Sequence, residues 1–442
     1  MGARRNPVVP VGDINIREGL LIEMRTGSNS KDLKMLNRLL VRDIIRHQGP
    51  IARFEIARET GLTPSTVTVI VAELLDSGVI KEVGHGESSG GRRPVLLELN
   101  PTAAHVFAVR LQRGEVVTAL FDLASNILSE AHREMDTAVP EDVVEAIGTS
   151  FEALAKEAGI NPSSVLWCGV ASPGLVDAHR GVVERTSNLG WFKVPLSAML
   201  SQRLGGIPVH VENISNAAAL AEKEYGQGRG HRHLIYINLS VGIGAGVIAD
   251  GEIFGGVRGY AGEIGHMTLL GQDGPLCGCG RRGCVEAICG VRAVLRKAKD
   301  SIPGDVLSQY GLVPERLTIS QLATSPLGDH AEVQNLIDET GWSIGVLAAN
   351  LVNLLNPEVI IFGGELVALG EPLLQVVRDE VKNRTLEELG GSVEIKISNM
   401  RGTAPLIGAY ALALERIFTL DEWDGHGTYV VSRPATVRKS VV

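Results

Sequence analysis

Four side chains between Gly262 and Gly290 can offer soft, metal-binding atoms: His266, Cys277, Cys279 and Cys284. They are spaced H-x10-C-x-C-x4-C, with Gly278, Gly280 and Gly283 between the cysteines. Three thiolates and one imidazole make a closed tetrahedral set of the kind zinc takes in structural sites, with no position left for a reacting water. Glycines between the ligands let the backbone turn tightly around one ion. The spacing predicts a structural zinc that staples the loop; the alternative is a set of free thiols on a glycine-rich loop. Two carboxylates flank the ligands, Glu263 just before His266 and Glu286 just after Cys284. A knot that fixes His266 also fixes both carboxylates, and rigidly held Glu and His suit the vicinal hydroxyls of a sugar.

The run GEIGH followed by CGCGRRGCVEA resembles the signature of the ROK family (repressors, uncharacterised frames and sugar kinases). The resemblance implies an α/β domain of actin-like, hexokinase type over residues 101–420, two lobes with a ligand cleft between them. It implies that Asn213, Glu263, His266 and Glu286 hold a sugar. Gly174 in ASPGLVD and Asn188 in TSNLGW match further family positions near the ligand, though plain turn chemistry explains them equally well.

A sugar kinase needs glycine-rich turns for the ATP phosphates and an Asp base beside the substrate hydroxyl. Where the family's kinases carry Asp-x-Gly-Gly-Thr, this chain has Arg110 at the Asp position and Gln112-Arg113-Gly114 in place of the glycines and Thr. Where they carry Asn-Asp-x-Asn, it reads Asn213-Ile214-Ser215-Asn216. Ile214 accepts no proton at any pH, and loss of a general base alone costs about 10²–10⁴-fold. Where they carry Gly-Thr-Gly-x-Gly, it reads Ser240-Val241-Gly242-Ile243-Gly244; the later pair Gly363-Gly364 remains. The expectation is a protein with no catalytic residues, whose sugar side is intact.

The elements that must position these residues alternate. HVFAVRLQ, EVVTALFDL, SVLWCGVAS, IPVHVEN, HLIYINLS, GAGVIAD and EVIIFGG read as strands; 141–158, 217–225 and 332–355 read as helices. Ahead of them, residues 31–100 read as a winged helix-turn-helix. Leu33 to Ile45 recur at helical spacing, a short helix follows at 53–60, and Gly61 makes the turn. LTPSTVTVIVAELLDSG starts a recognition helix with Thr63 as N-cap and Pro64 in the first turn. Its outward residues, Ser65, Thr66 and Thr68, are candidate DNA contacts with Thr63, as are Arg92 and Arg93 at the tip of the following hairpin. The stretch resembles the DNA-binding domain of the ROK repressors, which the family's kinases lack.

Composition sets the frame. The chain has 442 residues, a net charge of −9 and a mean hydropathy of +0.14, so it builds a large core and does not coat nucleic acid over its whole surface. The start, MGARRNPVVPVGD, has no apolar signal run, the apolar tract from 344 to 362 is broken by Asn and Pro, and three of five cysteines are committed to a metal. Those features predict a cytoplasmic protein, with loose tails at 1–30 and 421–442. The expected function is a sugar-responsive transcriptional repressor, homodimeric or tetrameric, with operator DNA and a sugar or sugar derivative as partners and zinc as its structural metal. The alternative is a ROK-type sugar kinase with a regulatory DNA-binding domain.

Overall fold

The computed structural model describes residues 30–87, 93–324 and 326–418. The expected N-terminal arm, the wing tip with Arg92 and the tail from Thr419 lie outside the described residues. α1 (Ser30–Gln48) buries Val41, Ile44 and Ile45 and stops before Gly49-Pro50, where proline removes a donor and biases its neighbour away from helix. β1 (Ile51–Ala52) leads into α2 (Arg53–Thr60), which closes on Gly61 in the left-handed region at φ 72°. α3 (Pro64–Asp76) starts as the sequence predicts, with the Thr66 backbone N–H donating to Thr63 Oγ1. β2 (Ile80–His85) and β3 (Val95–Leu99) form the wing, and β1 adds a third antiparallel strand in the order β1-β3-β2. Two residues carry too little pattern for β1 to be read from sequence.

The first lobe runs β4 (His105–Gln112), β5 (Glu115–Asp122), β6 (Ile127–Glu134), α4 (Pro140–Ala158), β7 (Val165–Ser172), β8 (Leu175–Asp177), β9 (Val182–Thr186), β10 (Trp191–Val194), α5 (Leu196–Arg203), β11 (Val209–Asn213) and α6 (Ile214–Tyr225). The second runs β12 (Leu234–Leu239), β13 (Ile243–Ala249) and β14 (Glu252–Ile253). The His/Cys loop follows, then α7 (Val285–Cys289), α8 (Val291–Ser301), α9 (Gly304–Gln309), α10 (Ile319–Ala323), α11 (Ala331–Leu355), β15 (Val359–Gly363), α12 (Gly370–Arg384), α13 (Glu387–Gly390), β16 (Glu394–Ile397) and α14 (Ala404–Phe418).

Each lobe holds a five-stranded sheet, and the two share one topology. The orders are β6-β5-β4-β7-β11 and β14-β13-β12-β15-β16, an antiparallel three-stranded arm followed by two parallel strands. α6 packs on β12 and β13, α14 packs on β4 and β7, and the two helices pack on each other between the sheets. The crossing is close because glycine stands at the contacts. A Cβ on Gly408 would lie 1.8 Å from the Ala217 carbonyl oxygen, and one on Gly169 1.8 Å from that of Ala409.

The winged domain is not a separate body. Ile44, Ile56, Val67, Leu74 and Leu97 belong to the same apolar cluster as Val106 and Phe121 of the first lobe and Tyr410, Ile417 and Phe418 of α14. Among the described residues, no helix is long and apolar enough to cross a membrane.

Candidate functional site

The structure brings together the four predicted metal ligands. One donor atom each from His266, Cys277, Cys279 and Cys284 lies within 4.8 Å of all the others. Cys277 Sγ is 3.7 Å from His266 Nδ1, and Cys279 Sγ is 3.7 Å from Cys284 Sγ. The loop reaches this shape through its own backbone. Cys277 N–H donates to the Arg281 carbonyl and Gly280 N–H to that of Cys277. Gly283, at φ 73°, passes so near Leu270 that a Cβ there would meet its carbonyl oxygen at 1.4 Å. Burial pushes the Cys284 thiol up to about 12 and raises Cys277. A cation among these donors would supply the charge that lets buried thiols ionise, so the set could hold a metal ion.

The carboxylates sit on the same framework. The turn from Glu263 to His266 is strapped to β13: Ala245 N–H donates to the Gly262 carbonyl, and Gly265 packs where a Cβ would meet the Ile243 carbonyl oxygen at 2.2 Å. With Nδ1 turned to the thiols, His266 presents Nε2 toward Glu263 Oε2 at 3.9 Å. Burial, opposed by His266, holds the Glu263 carboxyl above its ordinary range. Glu286, in the first turn of α7, accepts from the Ile243 backbone N–H at 3.1 Å.

The first lobe contributes from the other side. Asn188 Nδ2 and Glu286 Oε2 lie 3.4 and 3.3 Å from the point a Cβ on Gly242 would occupy, so the two lobes meet there. Asn213 is already engaged. Its Oδ1 caps α6 by accepting from Ser215 and Asn216 N–H groups, and its Nδ2 donates to the Gly174 carbonyl at 2.8 Å. It therefore ties the Gly174 turn to the start of α6. Glu212, which the sequence did not single out, sits buried beneath it, accepting from Asn213 N–H and from Asn216 Nδ2, and burial raises its pKa. A glutamate at the end of an otherwise apolar strand was the available signal.

The turns set against kinase motifs are closed by local contacts. Arg110 pairs with Glu115 across the β4–β5 hairpin at 2.5 Å. Ile214 packs against the cluster shared with the winged domain. Ser240 Oγ donates to Asn238 Oδ1, Val241 packs into the second-lobe core, and Tyr236 fills the space beside Gly363.

In the winged domain, Ser65 and Thr68 are exposed and Thr66 is half-buried, while Thr63 caps the helix; Arg93 is exposed. A link to the rest of the chain lies at the far end of α6. The guanidinium of Arg46 on α1 loses solvation by burial, yet its pKa is raised because Tyr225, Glu224, Asp43 and Glu415 surround it. Arg46 and Arg42 both lie over the ring of Phe418, at 4.9 and 5.1 Å, and Arg42 donates to the Phe418 carbonyl.

Residues 106–416 match the model of the ROK family, and residues 30–81 match that of a winged helix-turn-helix DNA-binding domain. The chain is 30% identical over 396 residues to the xylose repressor of Caldicellulosiruptor bescii, covering 88% of this chain and 98% of that one. It is 28% identical over 382 residues to the Escherichia coli transcriptional dual regulator NagC, covering 86% and 92%. Among solved structures, a ROK family transcriptional regulator homologous to the E. coli MLC protein superposes with a TM-score of 0.76 at 25% identity, covering 89% of this chain and 97% of that one. A ROK family glucokinase from Streptomyces griseus, in complex with glucose and AMPPNP, superposes with a TM-score of 0.61 at 29% identity and covers 71% of this chain and 100% of its own. The kinase leaves the winged domain without a counterpart, whereas the repressors and the regulator span it, and the chain belongs to the ROK family with a winged helix-turn-helix ahead of its ROK domain.

Proposed function

We propose that this protein is a sugar-responsive transcriptional repressor. Residues 31–100 bind operator DNA, and residues 101–420 bind a sugar or sugar derivative between the lobes. The observation that carries this reading is the match to named repressors over a length that includes the DNA reader, and it is supported by the apolar Ile214 where the resemblance to the kinases puts a general base. Arg110, tied to Glu115, and the self-satisfied turn at Ser240-Val241 support the loss of phosphoryl transfer.

Glu263 and His266 Nε2 face the ligand's vicinal hydroxyls, Glu286 and Asn188 close the rim, and Asn213 acts by holding the Gly174 turn. Zinc is the metal of the His/Cys set. A Zn–S bond of ~2.3 Å implies tetrahedral edges of ~3.8 Å between sulfurs. The 3.7 Å between the Cys279 and Cys284 sulfurs fits that edge. His266 would then serve metal and sugar with its two ring nitrogens. Zinc here supplies rigidity, fixing His266 and, through the loop, Glu263 and Glu286.

Coupling to DNA follows from α6. Its first residue lies beside the Asn213 cap, and its last, Tyr225, lies beside Arg46 of the winged domain. Twelve residues at ~1.5 Å rise span ~18 Å, so a shift at the cap moves the far end as one piece. A two-fold dimer, or a dimer of dimers, presents two such readers to a palindromic operator. Release from mostly bound to mostly free requires a differential affinity of ~5.5 kcal/mol.

Calorimetry with glucose, xylose and N-acetylglucosamine tests the sugar site. Heat with one of them in the wild type and none in Glu263→Ala is expected; no heat with any sugar would point to a protein effector instead. A coupled ADP assay over the same sugars should stay at background, and robust turnover would establish the kinase alternative.

A further inference from the structure

The outward face of α3 is chemically unusual for a helix that reads base edges. Ser65, Thr68, Val69 and Ala72 are exposed and follow one another at the i, i+3, i+4, i+7 spacing of a single helical stripe. Val69 is 56% exposed, while Val67, Ile70, Val71 and Leu74 on the opposite side are at most 2% exposed. Val69 stands in water beside exposed Thr68 and Ala72, so the stripe presents adjacent methyl groups to solvent.

The hydroxyls on this face are tied into local contacts. Thr68 Oγ1 donates to the Pro64 carbonyl at 2.8 Å, bonding back onto its own helix. Thr63 Oγ1 lies 2.9 Å from Ser65 Oγ and 2.8 Å from Thr66 Oγ1, and accepts the Thr66 N–H. α3 holds no Arg, Lys, Asn or Gln, and Glu73, one of its two acids, is paired with Lys34 at 2.7 Å. The side chains that contact guanine or adenine bidentately are therefore absent from it. What the stripe offers is methyl groups, and the major groove displays one apolar group, the C5-methyl of thymine.

We infer that α3 selects its operator by packing Thr68, Val69 and Ala72 against thymine methyls, so that each half-site is built on thymines and not on guanine contacts. This rests on the reading of the chain as a DNA-binding regulator that uses α3 as its recognition helix. The match of residues 30–81 to a winged helix-turn-helix favours DNA over a protein partner for this exposed stripe.

The experiment uses the full-length protein and a randomised duplex library. Enriched duplexes are sequenced, and the best is remade with single thymines replaced by deoxyuridine, which removes only the methyl. Binding of wild type, Val69→Ala and Thr68→Ser is read by fluorescence anisotropy. The stability of each variant is checked by thermal unfolding; Val69→Ala lies on the surface of a helix and swaps in a better helix former. The expected result is thymine-rich half-sites with a loss of roughly four-fold for each methyl removed, from the transfer free energy of one buried methyl. Val69→Ala should weaken the thymine duplex and lose sensitivity to deoxyuridine at one position. Half-sites fixed by G·C pairs, or indifference to every deoxyuridine, would overturn the inference while leaving DNA binding intact. A library with no enrichment at all would overturn the DNA-binding reading and the inference with it.

Discussion

The two lobes share a sheet order and differ in what their turns carry. In the second lobe, the chain leaves β14 through the turn of Glu263 and His266, which the Ala245 N–H straps to β13 at Gly262, makes the Cys loop, and comes back at Glu286, whose carboxylate accepts from the Ile243 N–H. In the first, the β4–β5 hairpin, whose counterpart in the second lobe is the Ser240–Gly242 turn between β12 and β13, is laced by Arg110 and Glu115, and the strand end at β11 leads into a helix that opens with an isoleucine. Arg110 and Glu115 are spent on each other, whereas Glu263 and His266 stand on a turn strapped to β13. A shared scaffold therefore says little about activity, which lies in the residues placed on it.

The sharpest way to break this contrast is at the loop. Cys284→Ser should cut zinc affinity by well over ~100-fold, beyond the 10–100-fold that changes behind the ligands cost. Metal content by plasma emission and a competitive chelator titration check this, and sugar-dependent stabilisation should vanish with the metal. In the winged domain, Arg46→Met removes one of the cations beside Glu224 and Glu415, leaving them Lys223, and should cost about 1–3 kcal/mol. Denaturant unfolding measures that cost, and the variant should bind sugar but release DNA poorly.

A titration in the first lobe gives the next effect. Burial, with Arg416 and His179 nearby, holds the His210 imidazole at about 4. The unfolded chain takes up that proton below about pH 6.5, so stability is complete above it and falls as pH drops toward about 4, by up to ~3 kcal/mol. Glu212, raised by burial, acts in the opposite sense over part of the range, and its Oε2 lies 4.0 Å from His210 Nε2, so the difference between wild type and His210→Gln reads the coupled pair. Melting temperatures from pH 7 to 4.5 should converge for the two proteins as pH falls. Smallest is Ile214→Asp, which places a carboxyl where Ile214 packs on the core and should lose about 1–3 kcal/mol while ADP release stays at background.

Much of the fold was legible because its signals are local. The recognition helix announced itself through Thr63 and Pro64, and the β4 strand through HVFAVRLQ, whose bounds match the structure. The His/Cys cluster that could hold a metal was legible because four donors of rare type stand close in sequence. Contacts made between distant segments were not. Nothing in the sequence near Arg46 points to Glu224 or Phe418, which lie some hundreds of residues away. Asn213 was read as a ligand contact, but the structure also gives it a helix cap and the Gly174 turn, since Asn at a strand-to-helix junction serves both uses. The helix start was read at Ala217 and lies at Ile214, because the cap and not the apolar period sets it.

One titration tests the central claim most directly. Glucose, xylose and N-acetylglucosamine are each added to the preformed complex of the full-length protein with its selected duplex, in the presence of Mg–ATP, while anisotropy and ADP are followed together. The account predicts that one of these sugars releases the DNA with no ADP formed, and that Glu263→Ala holds the DNA at every concentration. DNA that stays bound whatever sugar is added, or ADP released in step with sugar consumed, would contradict it.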